Sequence, residues 1–147
     1  MFGTTKKNQE GDPRVAKALD DLDIRYEIDP QGDYKFGFNL GDDRSQMGFI
    51  RSRTFEFAGV ELREVYSAGL QSFGPFDART ANLLLAQNAD VKIGAWEVGH
   101  NKEDQHFAVF SATIAADLDG EALLEVIHGV VMTADQMEQR LAGRDDF

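Results

Sequence analysis

The first hydrophobic positions of the chain repeat with the spacing of an α-helix. Asp12 is a suitable N-cap, and Pro13 suits the first helical position because its missing N–H is not needed there. The apolar side chains that follow fall on one face: Val15, Ala18, Leu19 and Leu22. The pattern therefore predicts a short amphipathic helix that begins after Asp12.

The period then changes to two residues, which is typical of β-strands. Alternating apolar side chains mark four segments: 24–28, 34–40, 46–57 and 60–66. A phase slip near Arg63 and Glu64 predicts a β-bulge in the fourth segment. Residues 71–77, which include a glycine and a proline, predict a loop.

The segment 81–99, ANLLLAQNADVKIGAWEVG, predicts a helix, a short joint and a strand. Asp77 is the expected N-cap of this helix. Asn88 follows the last apolar residue of the helix, where a left-handed conformation is common and asparagine tolerates it. We therefore interpret Asn88, Ala89 and Asp90 as a structural joint and not as a chemical site.

A last strand over 107–116 precedes a long terminal helix with Asp119 as its expected N-cap. A broad apolar stripe is predicted to face the core: Leu123, Leu124, Ile127, Val130, Val131, Ala134, Met137 and Leu141. The element order is α-β-β-β(β)-α-β-β-α, and short links favour antiparallel pairing. This predicts a two-layer α+β fold, an antiparallel sheet with helices on one face. We expect one domain over 12–142, with tails at 1–11 and 143–147.

Composition narrows the functional classes. The chain has 147 residues, no cysteine and a net charge of −11. Such a charge repels a phosphate backbone, so no nucleic-acid partner is predicted. No apolar run is long enough for a membrane span, and the first residues lack the apolar segment of a secretory signal, so we expect a cytoplasmic protein. The few concentrated bases are typical of a solvated strand face and not of an anion site: Arg44, Arg51, Arg53 and Arg63.

The sequence contains no pattern with the context that catalysis or metal binding requires. His100 and His106 flank a polar segment, but their spacing matches no zinc signature, so we expect a solvated hairpin loop. No glycine-rich phosphate loop follows a strand, and no nucleophile motif is present. We therefore predict no catalytic residue, no metal and no cofactor.

The last two strands are apolar on both faces, which is unusual for a sheet with helices on one side only. Val91, Ile93 and Ala95 share one face of their strand, and Phe107 and Val109 share one face of theirs. The opposite faces carry the candidate partner-binding residues: Trp96, Val98, Phe110 and Ile114. Either these four are covered by the chain itself, or a second copy or a client protein covers them.

The segments LLLAQNADVKIGAWEV and LDGEALLEVIHGVVMTADQMEQRL resemble the YbjN-like family, described as bacterial sensory transduction regulators. The resemblance covers roughly residues 12–141. It implies a type III secretion chaperone-like fold, usually dimeric, and it carries over no catalytic residue. We therefore expect a non-enzymatic protein-binding module, chaperone-like or regulatory, that forms a homodimer and holds a partner segment on an apolar sheet face. The alternative is a small-ligand-binding protein or enzyme with a pocket between helices and sheet.

Overall fold

The computed structural model describes residues 10–141, so the predicted tails at 1–11 and 143–147 lie almost wholly outside the described residues. The elements in chain order are α1 (Pro13–Asp21), β1 (Glu27–Ile28), β2 (Tyr34–Gly41), β3 (Arg44–Ile50), β4 (Phe55–Phe57), β5 (Val60–Phe73), α2 (Ala78–Asn88), β6 (Ala95–His100), β7 (Gln105–Ala115) and α3 (Gly120–Leu141). The predicted two-layer α+β layout, an antiparallel sheet with helices on one face, is confirmed. No helix of the described part is long and apolar enough to cross a membrane.

The strands form one antiparallel sheet in the order β1-β2-β3-β5-β7-β6, with β4 paired to β5 outside this path. β5 and β7 form its longest pair, in register from Leu62 opposite Ala115 to Phe73 opposite Gln105. α3 packs across β5, β3 and β7, and α2 lies against β6. The core therefore lies between α3 and the middle strands.

Local signals at the starts of α1 and α2 act as predicted. The Asp12 carboxylate accepts a hydrogen bond from Arg14 N at 2.9 Å, and that of Asp77 accepts one from Thr80 N at 2.8 Å. Six residues of the predicted stripe on α3 are buried: Leu123, Ile127, Val130, Val131, Ala134 and Met137. Helix boundaries and the helical core face thus follow from short-range patterns.

The predicted strand at 46–57 is two strands, because side chains from elsewhere bend the chain after Ile50. The Asp33 carboxylate accepts a hydrogen bond from Ser52 N at 3.1 Å. Arg63 Nη1 donates to the carbonyls of Arg51 and Ser52 at 2.9 and 3.1 Å. These bonds occupy backbone groups that a continuous strand would give to its neighbours.

Arg63 corrects the expectation that the concentrated arginines mark a solvated strand face. Its side chain is 1% exposed, and Nη2 donates to the Asp12 carboxylate at 2.6 Å. Burial opposes the charge of Asp12, but hydrogen bonds from Arg14 and Arg63 outweigh it and hold the pKa of this carboxyl well below its usual range. The ion pair between Asp12 and Arg63 holds the start of α1 against β5.

The predicted bulge lies at Gly69 and not at Arg63–Glu64. The β5–β7 register shifts between Ala68 and Leu70. A Cβ atom at Gly69 would stand 2.6 Å from Cη2 of Trp96, so only glycine leaves room for that ring. After the bulge β5 continues to Phe73, through the start of the predicted loop.

β3 and β5 diverge beyond their pairs Phe49–Tyr66 and Ile50–Val65. Side chains bridge the gap: Gln46 Nε2 donates to Ser67 Oγ and to the Ala68 carbonyl at 2.9 and 2.7 Å. Ser67 Oγ in turn donates to the Met47 carbonyl at 2.6 Å. These buried side-chain bonds replace the missing main-chain bonds between β3 and β5 on the helix side of the sheet.

Candidate functional site

The four predicted partner-binding residues do not form an exposed surface. Trp96, Phe110 and Ile114 are 6%, 1% and 8% exposed, and the Trp96 and Phe110 rings meet edge to face at 5.4 Å between centroids. They point under the helices, so the chain itself covers these three, which is the first of the two alternatives that the sequence left open. Val98 lies on the same side but near the sheet edge, and it is 51% exposed.

Asn88 is a structural joint, as predicted, although its geometry differs from the prediction. It is the last residue of α2, and the C-cap is Ala89 with φ −75° and ψ −20°, so no left-handed residue ends the helix. Asn88 Oδ1 accepts a hydrogen bond from Trp96 N at 2.7 Å, and Nδ2 donates to Trp96 O at 3.3 Å. Trp96 Nε1 also donates to Gln87 Oε1. The end of α2 therefore holds the outer edge of β6.

The apolar surface lies on the sheet face opposite the helices, which we call the open face. In the described range, no helix packs on it. A groove of about 600 Å³ lies on it, and its apolar lining comes from the middle strands: Met47, Phe49, Tyr66, Ala68, Phe107 and Val109. All six are half-buried by contact with one another and still reachable from solvent. The strand pattern places Phe107 and Val109 on one face, but it predicts the binding residues on the opposite face.

Aromatic and cationic groups stiffen the groove. The Phe49 and Tyr66 rings stack at 4.8 Å between centroids with an angle of 8° between their planes. The Arg51 guanidinium lies 4.4 Å from the centroid of the Tyr66 ring. Burial raises the pKa of the Tyr66 hydroxyl to about 12, so it stays neutral at any physiological pH. The floor is thus a fixed apolar platform with a neutral phenol.

Two carboxylates border this platform, and they differ in their partners. Glu64 accepts hydrogen bonds from Arg51 Nε at 3.1 Å and from Ser111 Oγ at 3.3 Å. Glu97 lies opposite Val109 in the β6–β7 register and forms no ion pair or hydrogen bond through its side chain with any residue of 10–141. Burial, and then the charge of Glu64, raise the pKa of Glu97, and the charge of Arg51 opposes this only in part.

The apolar strip continues beyond the groove at both ends of the sheet. Phe55 and Phe57 pair with Leu62 and Val60, and these side chains share the open face with Tyr66. Phe73 lies on the same face at the other end, opposite Gln105. Phe55, Phe57, Val60 and Phe73 are all exposed.

The outer edge of β6 has main-chain groups that β7 does not use. Both backbone groups of Trp96 point away from β7, because the Asn88 amide bonds them. Backbone direction alternates in an antiparallel pair, so the N–H and C=O of Val98 and His100 point outward as well. At these two residues the edge is open to another strand.

His100 and His106 lie at the hairpin between β6 and β7. Their rings stack at 5.1 Å between centroids, and His106 is buried on the helix side, which the predicted solvated loop did not anticipate. Among residues 10–141, no group of three or more histidine, aspartate or glutamate side chains is placed to hold a metal ion. A pocket between α1, α3 and the sheet, lined by Arg14, Arg63 and Ile114 among others, has a volume of about 210 Å³.

Comparison with known protein families, curated proteins and solved structures finds no match to this chain.

Proposed function

We propose that this protein is a non-enzymatic protein-binding module, chaperone-like or regulatory, that holds a segment of another polypeptide on its open face. The observation that carries the proposal is the apolar groove on a sheet face that no element of the described residues covers. Its aromatic lining favours apolar side chains of a partner. The proposal includes membership of the YbjN-like family and a cytoplasmic location.

The energetics favour several anchors acting together. An aromatic side chain buries about 150–250 Å², and burial contributes about 25 cal/mol per Å². Phe49 and Phe107 already have most of their surface buried, so full coverage adds only on the order of 1 kcal/mol for each. Association costs on the order of 4–15 kcal/mol, and one ring cannot offset that. A partner must therefore contact most of the groove, as an extended segment does.

The small-ligand alternative needs a pocket between the helices and the sheet. The pocket there has about 210 Å³, below the range of roughly 300–1,000 Å³ that small-molecule sites occupy. The Arg63 guanidinium beside it already donates to Asp12 and to the carbonyls of Ala116 and Arg51. The small volume of this pocket and the hydrogen bonds that Arg63 already donates within the chain both favour the open face as the binding surface.

Peptide arrays followed by fluorescence polarisation test the proposal. Phe107→Ser removes an open-face anchor, and Leu85→Ser removes an exposed apolar side chain from α2 on the helix side as the control. We expect apolar peptides to bind the wild type and the control, and Phe107→Ser to weaken binding at least tenfold. Equal affinities for all three proteins would refute the open face as the binding surface.

We also propose that the homodimer forms by pairing along β6, which leaves the open face to the partner segment. The support is the outward main chain of Val98 and His100 beside the exposed Val98 side chain. Val98→Pro removes an outward N–H that β7 does not use, and edge strands tolerate proline in this orientation. Light scattering at micromolar concentration should give a dimer for the wild type and for Val98→Thr, and a monomer for Val98→Pro. A monomeric wild type contradicts the proposal.

A further inference from the structure

We propose that the segment held on the open face carries a lysine or arginine whose side chain pairs with Glu97. This inference rests on the proposed function and names the chemistry of the partner. It makes Glu97 the residue that selects the partner, while the groove supplies apolar contact of lower selectivity.

The position of Glu97 supports this role. Its register partner is Val109, which lines the groove, so a side chain on the groove reaches the carboxylate within one strand spacing of about 4.8 Å. A carboxylate at an apolar border loses hydration when a partner covers it, and this loss is costly unless a cation replaces the water. A partner that lays an apolar side chain over Glu97 therefore binds poorly.

The other charged groups of the face cannot serve Glu97. Arg51 is engaged by Glu64 and by Asp33, whose carboxylate lies 3.4 Å from Arg51 Nη1. Lys35 lines the groove on β2, which is four strand spacings from β6, about 19 Å away. Glu64 adds a second negative charge near Glu97. The cation that this border lacks has to come from outside the described residues.

The charge of the whole chain favours the same kind of partner. A net charge of −11 attracts a basic segment and raises its association rate at low salt. A second copy brings another −11, and repulsion grows with the area over which two copies face each other. A narrow contact along β6 tolerates this better than broad contact over the open face. Charge complementarity therefore assigns the open face to a basic segment and not to a second copy.

Three synthetic nonapeptides of alternating Val and Phe, identical except for a central Lys, Gln or Glu, test the inference by fluorescence polarisation. The variants are Glu97→Gln and Glu97→Lys, and Glu103→Gln makes the same charge change in the exposed β6–β7 turn as the control. We expect the wild type and Glu103→Gln to bind the Lys peptide about tenfold more tightly than the Gln peptide. Glu97→Gln should abolish that preference and retain affinity for the Gln peptide, and Glu97→Lys should prefer the Glu peptide.

The outcomes separate this inference from the proposed function. Binding of all three peptides with equal affinity, or equal losses for Glu97→Gln and Glu103→Gln, overturns the role of Glu97 and leaves the groove function standing. Absence of binding by every peptide overturns both. A dimer that Phe107→Ser converts to a monomer, while Val98→Pro does not, means that a second copy fills the groove, and this result also overturns the inference.

Discussion

Replacing Trp96 with alanine tests whether this residue belongs to the core, as the structure indicates, or to a binding surface, as the strand pattern predicted. The side chain is almost fully buried, contacts the Phe110 ring and hydrogen-bonds Gln87 through Nε1. Truncation of a buried tryptophan costs about 3–5 kcal/mol, through lost transfer free energy and the cavity that remains. For a domain of this size each kcal/mol lowers Tm by roughly 2–4 °C, so we expect a decrease of about 6–20 °C.

Gly69 sharpens this test, because the same ring excludes a side chain there. In the wild type a Cβ atom at Gly69 would lie 2.6 Å from Trp96, so Gly69→Ala should cost about 1–3 kcal/mol. In the Trp96→Ala background that clash disappears, although the Ala134 carbonyl, 3.2 Å from the added Cβ, remains close. The two substitutions should therefore be non-additive by at least about 1 kcal/mol, with the double variant more stable than the sum predicts.

Urea denaturation of the four proteins of this cycle measures the free energies of unfolding. Val98→Ala is the control, since Val98 lies on the same strand and the same side but is half exposed. This substitution should lower the free energy of unfolding by less than about 1 kcal/mol. If Trp96→Ala lowers the free energy of unfolding no more than Val98→Ala does, the indole does not pack in the core. Strict additivity with Gly69→Ala would show that the ring does not cause the bulge in β5.

Three further substitutions or conditions have expected outcomes. Asn88→Ala leaves the backbone N–H and C=O of Trp96 without their side-chain partner, so chemical denaturation should show a free energy of unfolding lower by about 1–3 kcal/mol. A decrease below about 0.5 kcal/mol, which is typical of an ordinary surface substitution, would contradict the role of the joint. Arg63→Met removes one of the two cations that bind the Asp12 carboxylate and the guanidinium donor to three carbonyls, so the free energy of unfolding should fall by about 3–5 kcal/mol in urea denaturation. The pKa of Asp12 is lowered in the folded state, so its stabilising contribution is complete above the unfolded pKa and is lost as pH falls through the folded value. Acid unfolding curves of the wild type and Asp12→Asn should therefore converge at low pH, and a constant gap between them contradicts this assignment.

The sequence predicts the elements that short-range signals determine. The caps at Asp12 and Asp77 and the apolar stripe on α3 act between residues a few positions apart, and a local pattern carries such signals. The bend after Ile50 and the bulge at Gly69 were not predicted, because their causes are distant in the chain. Arg63 meets Asp12 across 51 positions, and no local periodicity contains that contact.

Three of the four candidate partner-binding residues lie on the face that the helices cover, although the sequence contains a signal that distinguishes the two faces. Both faces of β6 and β7 carry apolar residues, so hydrophobicity alone does not say which face the helices cover. Charge does, because a helix-covered face cannot accommodate an unpaired carboxylate without a large desolvation cost. Glu97 shares its face with Ala95, and Thr113 shares its face with Val109, whereas no carboxylate lies on the Trp96 face of β6 and β7. Arg63, which lies on that face opposite Ile114, is paired with Asp12.

Glu97 also links the geometry of the sheet to the chemistry of the proposed partner. Glu97 makes no hydrogen bond or ion pair within the described residues, and burial and the charge of Glu64 together outweigh the attraction of Arg51. A glutamine at this position would keep the strand and remove the repulsion, so stability of the isolated domain does not favour glutamate. A glutamate beside an apolar groove favours binding when a partner brings a cation to it, because the ion pair then forms at the border of a surface from which the partner excludes water. If Glu97→Gln raises the free energy of unfolding and also removes the preference for a basic peptide, then the carboxylate serves recognition at a cost to stability.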